Sequence, residues 1–205
     1  MKDADMKARL KELYLPPADE FVLVDVPDMR YIMIDGHGAA DRAALDHAVK
    51  WLFTVLHPIK RTARERMGKD FVEPPLEGLW WADDIQDFIA GNKEKLNWRM
   101  MIVYEPDWLT REMFDDAVAT AKARLGEVPG SLRLESYHEG LSAQTMYAGP
   151  PSSEGPTIAR LHREFLPAHN LTANGHHHEI YLTDPNRVAP EKMKTVLRQP
   201  VRRAS

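Results

Sequence analysis

The feature that most constrains this chain is an order of predicted elements that occurs twice. Apolar residues recur with period 2 in strands and with period 3.6 in helices, and the two patterns alternate here. The first half contains apolar β-branched runs at 21–26 and 29–36, an amphipathic helix at 41–57, and further strands within 71–81 and 97–106. Because a proline disrupts a helix interior, we expect that helix to end before Pro58.

The second half repeats the same order of elements. Strands are predicted at 131–137 and 141–149, a helix at about 155–168, and two more strands at 179–183 and 194–201. Both halves therefore have the order strand–strand–helix–strand–strand. An internal repeat of this kind indicates an architecture built from two similar modules.

The repeat predicts an α+β fold of tandem, duplicated strand–helix–strand–strand modules with antiparallel sheets. Short polar turns at 27–28 and 138–140 lie between the first two strands of each module, so we expect a β-hairpin at each place. One helix covers one sheet face, and we expect the other faces to meet. The expected organisation is a single domain over 1–205, with an N-terminal helix and linker in 1–20 and repeat units at about 21–125 and 131–201.

Composition excludes several classes of function. The chain has no cysteine, which excludes disulfides, zinc sites with thiolate ligands and a cysteine nucleophile. A formal charge of −4 does not favour nucleic acid as a partner. No signal peptide, membrane span or cofactor motif is evident, so we expect a cytoplasmic protein without a cofactor. Whether it is a monomer or a homodimer stays open.

One segment, HHHEIYLTDP at 176–185, carries the main candidate for chemistry. Strand alternation places Ile180 with His178 toward a helix, and Glu179 with Tyr181 toward the opposite side, where the halves are expected to meet. A carboxylate there needs a partner, solvent or a positive ligand, because burying an unpaired charge is costly. His176 and His178 share a face, but spacing assures no third metal ligand, so we expect no metal.

Aromatic and methionine side chains on the other strands could surround Glu179. Each could equally be an ordinary core residue. Taken together, they resemble an aromatic box around one anion, which is the chemistry that binds bulky lipophilic cations. One of the two adjacent tryptophans must face away from the helix, whichever the register. The candidate ligand-binding residues are Glu179, Trp80, Trp81, Tyr181, Tyr147, Tyr137, Trp98, Met101 and Tyr104.

The stretches PLEGLWWADD, EGPTIARLH and HHEIYLTDPNRVAPEKMKTVLRQPV closely resemble the gyrase-inhibitor-like (GyrI-like) small-molecule-binding domain family, from about Phe21 to Val201. The resemblance implies two modules related by a pseudo-two-fold, with a ligand cleft between them. It places Glu179 where multidrug-responsive activators have a glutamate that meets lipophilic cations. One branch of the family resembles hydrolases that open cyclopropane rings of alkylating natural products with a cleft glutamate and a tyrosine.

Two functions follow from these observations, and the sequence favours the first. The first is binding of lipophilic, often cationic, small molecules, with Glu179 as the counter-charge. The second is a hydrolase, in which Glu179 is a general base and a cleft tyrosine (Tyr137, Tyr147 or Tyr181) donates a proton. The candidate catalytic residues are then Glu179 and Tyr147. The chain has Tyr147 where relatives commonly have a histidine, so the roles of the family's residues at the rim of the ligand cleft do not carry over in detail. A module that binds a protein loop is a third, less favoured reading.

Overall fold

The protein is described by a computed structural model, which covers residues 11–38, 42–69, 72–89, 92–104, 106 and 108–204. Of the predicted N-terminal helix, residues 11–14 are helical and the rest lies outside the described residues. The first half then contains β1 (Val22–Val26), β2 (Met29–His37), α1 (Arg42–Met67), β3 (Leu76–Trp81), α2 (Ile85–Ile89), a 3-10 turn at Lys93–Lys95, β4 (Asn97–Val103) and α3 (Arg111–Leu125).

The second half repeats the strand–strand–helix–strand–strand order of the first, with one additional strand and, among the described residues, without counterparts of α2 and α3. It contains β5 (Arg133–Tyr137), β6 (Gly140–Ala148), a 3-10 turn at Pro151–Ser153, α4 (Gly155–Arg160), a π-helical turn at Leu161–Phe165, α5 (Leu166–Ala168), β7 (Leu171–Ala173), β8 (His177–Tyr181), a 3-10 turn at Pro190–Lys192 and β9 (Lys194–Arg203). The predicted helix at 155–168 is thus one helical segment with a π-helical turn inside it.

The strands form an antiparallel sheet in the order β1-β6-β9-β8-β3-β4-β2-β5, and β7 pairs separately with β9. This order is palindromic: exchanging each strand for its counterpart in the other half reverses it. The two modules are therefore joined edge to edge through the pair β3–β8, in which Gly78 lies opposite Glu179. The α+β fold with a large antiparallel sheet is confirmed.

The two predicted hairpins are wrong. β1 pairs with β6, and β2 pairs with β4 and β5, so neither β1–β2 nor β5–β6 forms a ladder. A two-residue hairpin turn that matches strand twist needs a positive φ at its first residue. Proline fixes φ near −65°, so Pro27 cannot supply one. The chain continues from β1 into β2 and changes its partner strand at that point.

Helix α1 runs through Pro58 without ending, contrary to the sequence expectation. Val55, Leu56 and Ile59, on both sides of the proline, are fully buried against the sheet. We attribute the continuity of the helix to this packing, which offsets the hydrogen bond that the proline removes.

Both main helices lie on the same face of the sheet. The α1 side chains share a core with Ile34, Met100 and Ile102 of β2 and β4, while Leu161 and Leu166 of the second helical segment pack with Ala143 of β6. In strand register, Glu179 and Gly78 point to this same face. We call it the site face. The expectation that Glu179 points away from the helices is therefore wrong.

The opposite face, which we call the network face, carries a second apolar core and a buried polar cluster. The core contains Leu13, Val24, Met33, Leu79 and Met101. No helix among the described residues is both long and apolar enough to cross a membrane.

Candidate functional site

The candidate site is a pair of carboxyl groups on the site face, where the halves of the sheet meet. Glu179, on β8, is 7% exposed. Glu154, the residue just before α4, lies beside it, and the two carboxyl groups interact. The buried Glu154 Oε2 accepts no hydrogen bond from a donor group of the described residues. Two carboxyl groups can share such a contact only when one carries a proton, because two negative charges at that distance repel. With Tyr181 and Trp80, these residues form what we call the carboxyl site.

Burial sets the protonation of this pair. Burial raises the pKa of Glu154 to about 9, and the adjacent Glu179 adds to this rise. Burial also raises the pKa of Glu179, to about 7, although the hydrogen bond from Tyr181, the adjacent Glu154 and the charge of His178 oppose the rise. Between about pH 7 and 9 the pair therefore retains one proton, carried mainly by Glu154. A neutral carboxylic acid thus lies beside a carboxylate that can accept a proton.

Tyr181 and Trp80 hold Glu179 in place. The Tyr181 hydroxyl donates to Glu179 Oε2 over 2.9 Å and accepts a hydrogen bond from Trp80 Nε1 over 3.1 Å. Burial and the adjacent Glu179 raise the pKa of Tyr181 well above its ordinary value, so the hydroxyl keeps its proton. Trp80 comes from the first half and the other three from the second, so the carboxyl site needs both halves.

The absence of a side chain at Gly78 leaves room for this arrangement. A Cβ there would lie 2.7 Å from Met100 Cε, 3.0 Å from Trp80 Nε1 and 3.1 Å from the Tyr181 hydroxyl. Distances this short force a neighbour to move. Gly78 therefore permits the Trp80 and Tyr181 side chains to approach across the β3–β8 pair.

Of the other predicted site residues, Trp98 and Tyr147 are also on the site face. Trp98 is buried against α1, and its ring lies over Gly36. Tyr147 donates its hydroxyl to the Pro150 carbonyl over 3.2 Å rather than to Glu179. Burial and the charge of nearby Glu154 raise the pKa of Tyr147.

The remaining predicted residues do not lie beside Glu179. Trp81, Tyr137 and Met101 pack in the core of the network face, and the Trp81 ring stacks on His176 at 4.1 Å between centroids. Tyr104 belongs to the core beneath α1 and α3, where its hydroxyl donates to the Thr110 carbonyl. Of the adjacent tryptophans, Trp80 is the one at the carboxyl site.

Directly behind Glu179, the network face holds a buried charged cluster. His178 bonds Glu77 through Nε2 and Glu139 through Nδ1, each at 2.9 Å, and Arg198 Nη1 donates to Glu139 over 3.0 Å. Burial opposes the charge on His178, but Glu139 and Glu77 raise its pKa to about 9. Burial likewise opposes ionisation of Glu139, yet His178 and Arg198 lower its pKa to about 2. His178 is thus an ion-pair partner inside the fold.

Sequence reasoning missed Glu154 because this residue lies in a Pro/Ser/Gly-rich connection, 25 positions before Glu179, and in no predicted strand. The signal available was a single acidic residue at the start of a helix, which usually has only a capping role. A separate open groove of about 600 Å³ lies between α1 and α3. Its lining includes Arg61, Glu65 and Asp116 but no residue of the carboxyl site.

Comparisons with known proteins agree with this description. The family model for the GyrI-like small-molecule-binding domain matches residues 19–202. A conserved protein from Listeria innocua is 33% identical, with 96% of this chain and 98% of that chain covered and a TM-score of 0.82. A hydrolase from Listeria innocua is 32% identical over 96% of this chain and 98% of its own, with a TM-score of 0.79.

A more distant structure shares the fold alone. The C-terminal domain of EcmrR is 9% identical, with 90% of this chain and 98% of that chain covered and a TM-score of 0.57. No curated protein matches the chain.

Proposed function

Because this chain belongs to the GyrI-like small-molecule-binding domain family, we propose that it is a hydrolase that adds water to small electrophilic organic compounds. The observation that carries the proposal is the buried Glu154–Glu179 pair, in which burial raises both pKa values and leaves one proton. Two titratable groups with separated pKa values can act as general acid and general base at the same pH. The 32% identical hydrolase from Listeria innocua supports the same class of function.

The reaction follows from the two protonation states. The Glu179 carboxylate accepts a proton from water while the water oxygen bonds to the electrophilic carbon. The Glu154 carboxylic acid gives its proton to the atom that leaves that carbon. The proton gained by Glu179 then passes to the adjacent Glu154 carboxylate, which restores the starting state.

Tyr181 has a positioning role in this scheme. Its hydroxyl bonds to Glu179 Oε2, so Oε1 is the oxygen that we assign to the reacting water. Trp80 orients the tyrosine through its indole N–H. We therefore assign the tyrosine at the carboxyl site to Tyr181, whereas the sequence favoured Tyr147 as a proton donor.

The proposed substrates are strained or alkylating electrophiles, such as compounds with an activated cyclopropane ring. Opening such a ring consumes one water and leaves a carbanion-like atom that must be protonated, which is the step that Glu154 would serve. Trp80, which packs partly against the apolar core, gives the carboxyl site one aromatic wall suited to a planar substrate.

The test is incubation of the protein with a cyclopropane-bearing alkylator, followed by mass spectrometry for a product with one added water. We expect Glu154→Gln and Glu179→Gln to lower the rate by about 100-fold or more, the range for loss of a general acid or base. Glu164→Gln, an exposed glutamate in the same helical segment, is the matched control and should retain the rate. Failure of the wild type to form the adduct above the protein-free background would refute the proposal.

A second candidate is binding of lipophilic cations without turnover. The observation in its favour is the hydrogen-bonded chain from Trp80 through Tyr181 to the Glu179 carboxylate, which places aromatic rings near an anion. Titration with a fluorescent lipophilic cation tests this candidate. If wild type and Glu179→Gln bind the dye equally, the carboxylate is not the counter-charge.

A further inference from the structure

Beside the carboxyl site, two histidines have buried ring nitrogens without a protein partner. His177 is fully buried on β8, and neither Nδ1 nor Nε2 has a hydrogen-bond partner among the described residues. The same is true of Nε2 of His162, which lies in the π-helical turn. Leaving a buried polar atom without a hydrogen bond is costly, so three such atoms on two neighbouring histidines require an explanation.

The two histidines and the carboxyl site form one region. His177 Nε2 is 3.9 Å from Glu179 Oε1, which is too long for a direct hydrogen bond. The ring of Phe88, in α2, lies 5.3 Å from the His177 ring and 6.5 Å from the His162 ring, measured between centroids. Phe88 thus provides an apolar wall next to both imidazoles.

The chemistry of these imidazoles is that of uncharged groups. Burial lowers the pKa of His162, and burial with the nearby His162 and His178 lowers that of His177 to about 3. A neutral imidazole offers one N–H donor and one nitrogen acceptor. Among the described residues, no three or more His, Asp or Glu side chains are arranged to hold a metal ion.

The π-helical turn brings His162 into this region. Such turns are rare and often occur at functional sites. Leu161, the first residue of the turn, is buried in the core against Ala143, while the adjacent His162 directs its ring toward Phe88. A single helical turn thereby supplies both a core residue and a polar residue of the site.

We propose that His162 and His177 form a neutral hydrogen-bonding subsite beside the carboxyl site, which recognises an uncharged amide or carbonyl group of the ligand. An amide matches the donor and acceptor of a neutral imidazole, and Phe88 matches an adjacent planar ring. This inference rests on the proposed function in placing the ligand at the Glu154–Glu179 pair. It adds a substrate preference: planar compounds with an amide-like group should bind better than cations of the same shape.

The experiment compares two fluorescent probes that share a three-ring frame. Acridone is uncharged and carries a carbonyl and an N–H, while N-methylacridinium is a cation without either group. We expect wild type to bind acridone more tightly than N-methylacridinium. His162→Phe and His177→Phe should each lower the affinity for acridone by about 10-fold and change the affinity for N-methylacridinium by less than about 2-fold. His177→Gln, which keeps a donor and an acceptor, should bind acridone within about 3-fold of wild type.

The matched control is His169→Phe, an exposed histidine just after α5 whose ring nitrogen already bonds the Phe165 carbonyl. It should bind both probes as wild type does. The proposal is overturned if wild type does not bind acridone or if folded His162→Phe binds it with unchanged affinity. It is also overturned if the histidine variants lose affinity for both probes to the same extent. Acridone binding requires no turnover. If acridone binds through His177 but no water adduct of the alkylator forms, the proposed hydrolysis is refuted and the histidine subsite is not.

Discussion

At the residue scale, the Tyr181 hydroxyl modulates the charge on Glu179. Burial raises the pKa of Glu179 to about 7, and the hydrogen bond from Tyr181 to Oε2 opposes that rise because it favours the ionised carboxylate. Removing it with Tyr181→Phe should raise that pKa, and the acidic limb of the pH–rate profile should move to higher pH. At pH 7 we expect a loss of about 10-fold in kcat/KM.

Tyr147→Phe is the comparison that distinguishes the two tyrosines. The Tyr147 hydroxyl donates to the Pro150 carbonyl, so its removal should leave the acidic limb in place. If the acidic limb of the pH–rate profile shifts in Tyr147→Phe and stays in place in Tyr181→Phe, Tyr147 rather than Tyr181 acts on Glu179.

Glu154 should also destabilise the folded protein at alkaline pH. Burial raises its pKa above 4.5 to about 9, so between these values the folded state holds a proton that the unfolded state has lost. Stability from this group is full below about pH 4.5 and falls as pH rises toward 9. Glu154→Gln cannot ionise, so we expect its free energy of unfolding to exceed that of wild type by ~1–3 kcal/mol at pH 9.

Urea unfolding at pH 5, 7 and 9 measures this effect. The difference between Glu154→Gln and wild type should grow with pH, whereas Glu164→Gln should follow wild type throughout. A constant difference across the three pH values would show that Glu154 does not titrate in this range.

The sequence predicts which site residues lie together when they alternate along one strand. Alternation along β8 correctly paired Glu179 with Tyr181, since both follow from a two-residue repeat. It could not tell which face carries the helices, because that depends on how the modules join. It also could not bring Glu154 next to Glu179, because that contact depends on where a helix begins in space.

At the scale of elements, the β3–β8 pair is the support of the carboxyl site. Gly78→Ala places a methyl group within 3.1 Å of both Trp80 Nε1 and the Tyr181 hydroxyl. One of these side chains must move, so we expect kcat/KM to fall by about 10-fold or more, with a stability loss of about 1–3 kcal/mol.

Gly130→Ala provides a control, because a Cβ at that position meets nothing within 4 Å. Its kinetics and melting temperature should match wild type. Unchanged activity in folded Gly78→Ala would mean that the Trp80–Tyr181–Glu179 chain does not position the reacting groups.

The order of the predicted strands and main helices agrees with the structure. The predicted pairing of strands and the predicted end of α1 do not. Periodicity identified the strands and helices because it records which side chains are buried. It contains no information on which strand is the neighbour, and β1 and β2 each pair across the module boundary. Continuation of α1 through Pro58 likewise depends on packing against the sheet.

At the scale of the whole molecule, the charged cluster on the network face joins the two halves and the N-terminal segment. Glu77 comes from the first half, and His178, Glu139 and Arg198 come from the second. Tyr14 donates its hydroxyl to Glu77, and Arg198 Nη2 donates to the Leu13 carbonyl. One connected network thus links three parts of the chain, directly behind the strand that carries Glu179.

This cluster stabilises the fold within a defined pH window. The His178 contribution is complete below about pH 6.5 and is lost as pH rises through about 9, because its folded pKa is raised. The Glu139 contribution is complete above about pH 4.5 and is lost as pH falls through about 2, because its folded pKa is lowered. Their joint contribution should therefore be greatest between about pH 4.5 and 6.5.

Glu139→Gln tests whether the cluster is structural or part of the reaction. It removes the carboxylate that His178 and Arg198 share, although His178 keeps its contact with Glu77, so we expect a loss of about 3–5 kcal/mol in the free energy of unfolding. Glu135→Gln, an exposed glutamate on β5, should cost less than about 0.5 kcal/mol. Because the charge of His178, which Glu139 stabilises, opposes the rise in the pKa of Glu179, the acidic limb of the pH–rate profile of folded Glu139→Gln should move to higher pH, by less than in Tyr181→Phe. An unchanged profile in folded protein would show that the charge on the network face does not affect the pKa of Glu179.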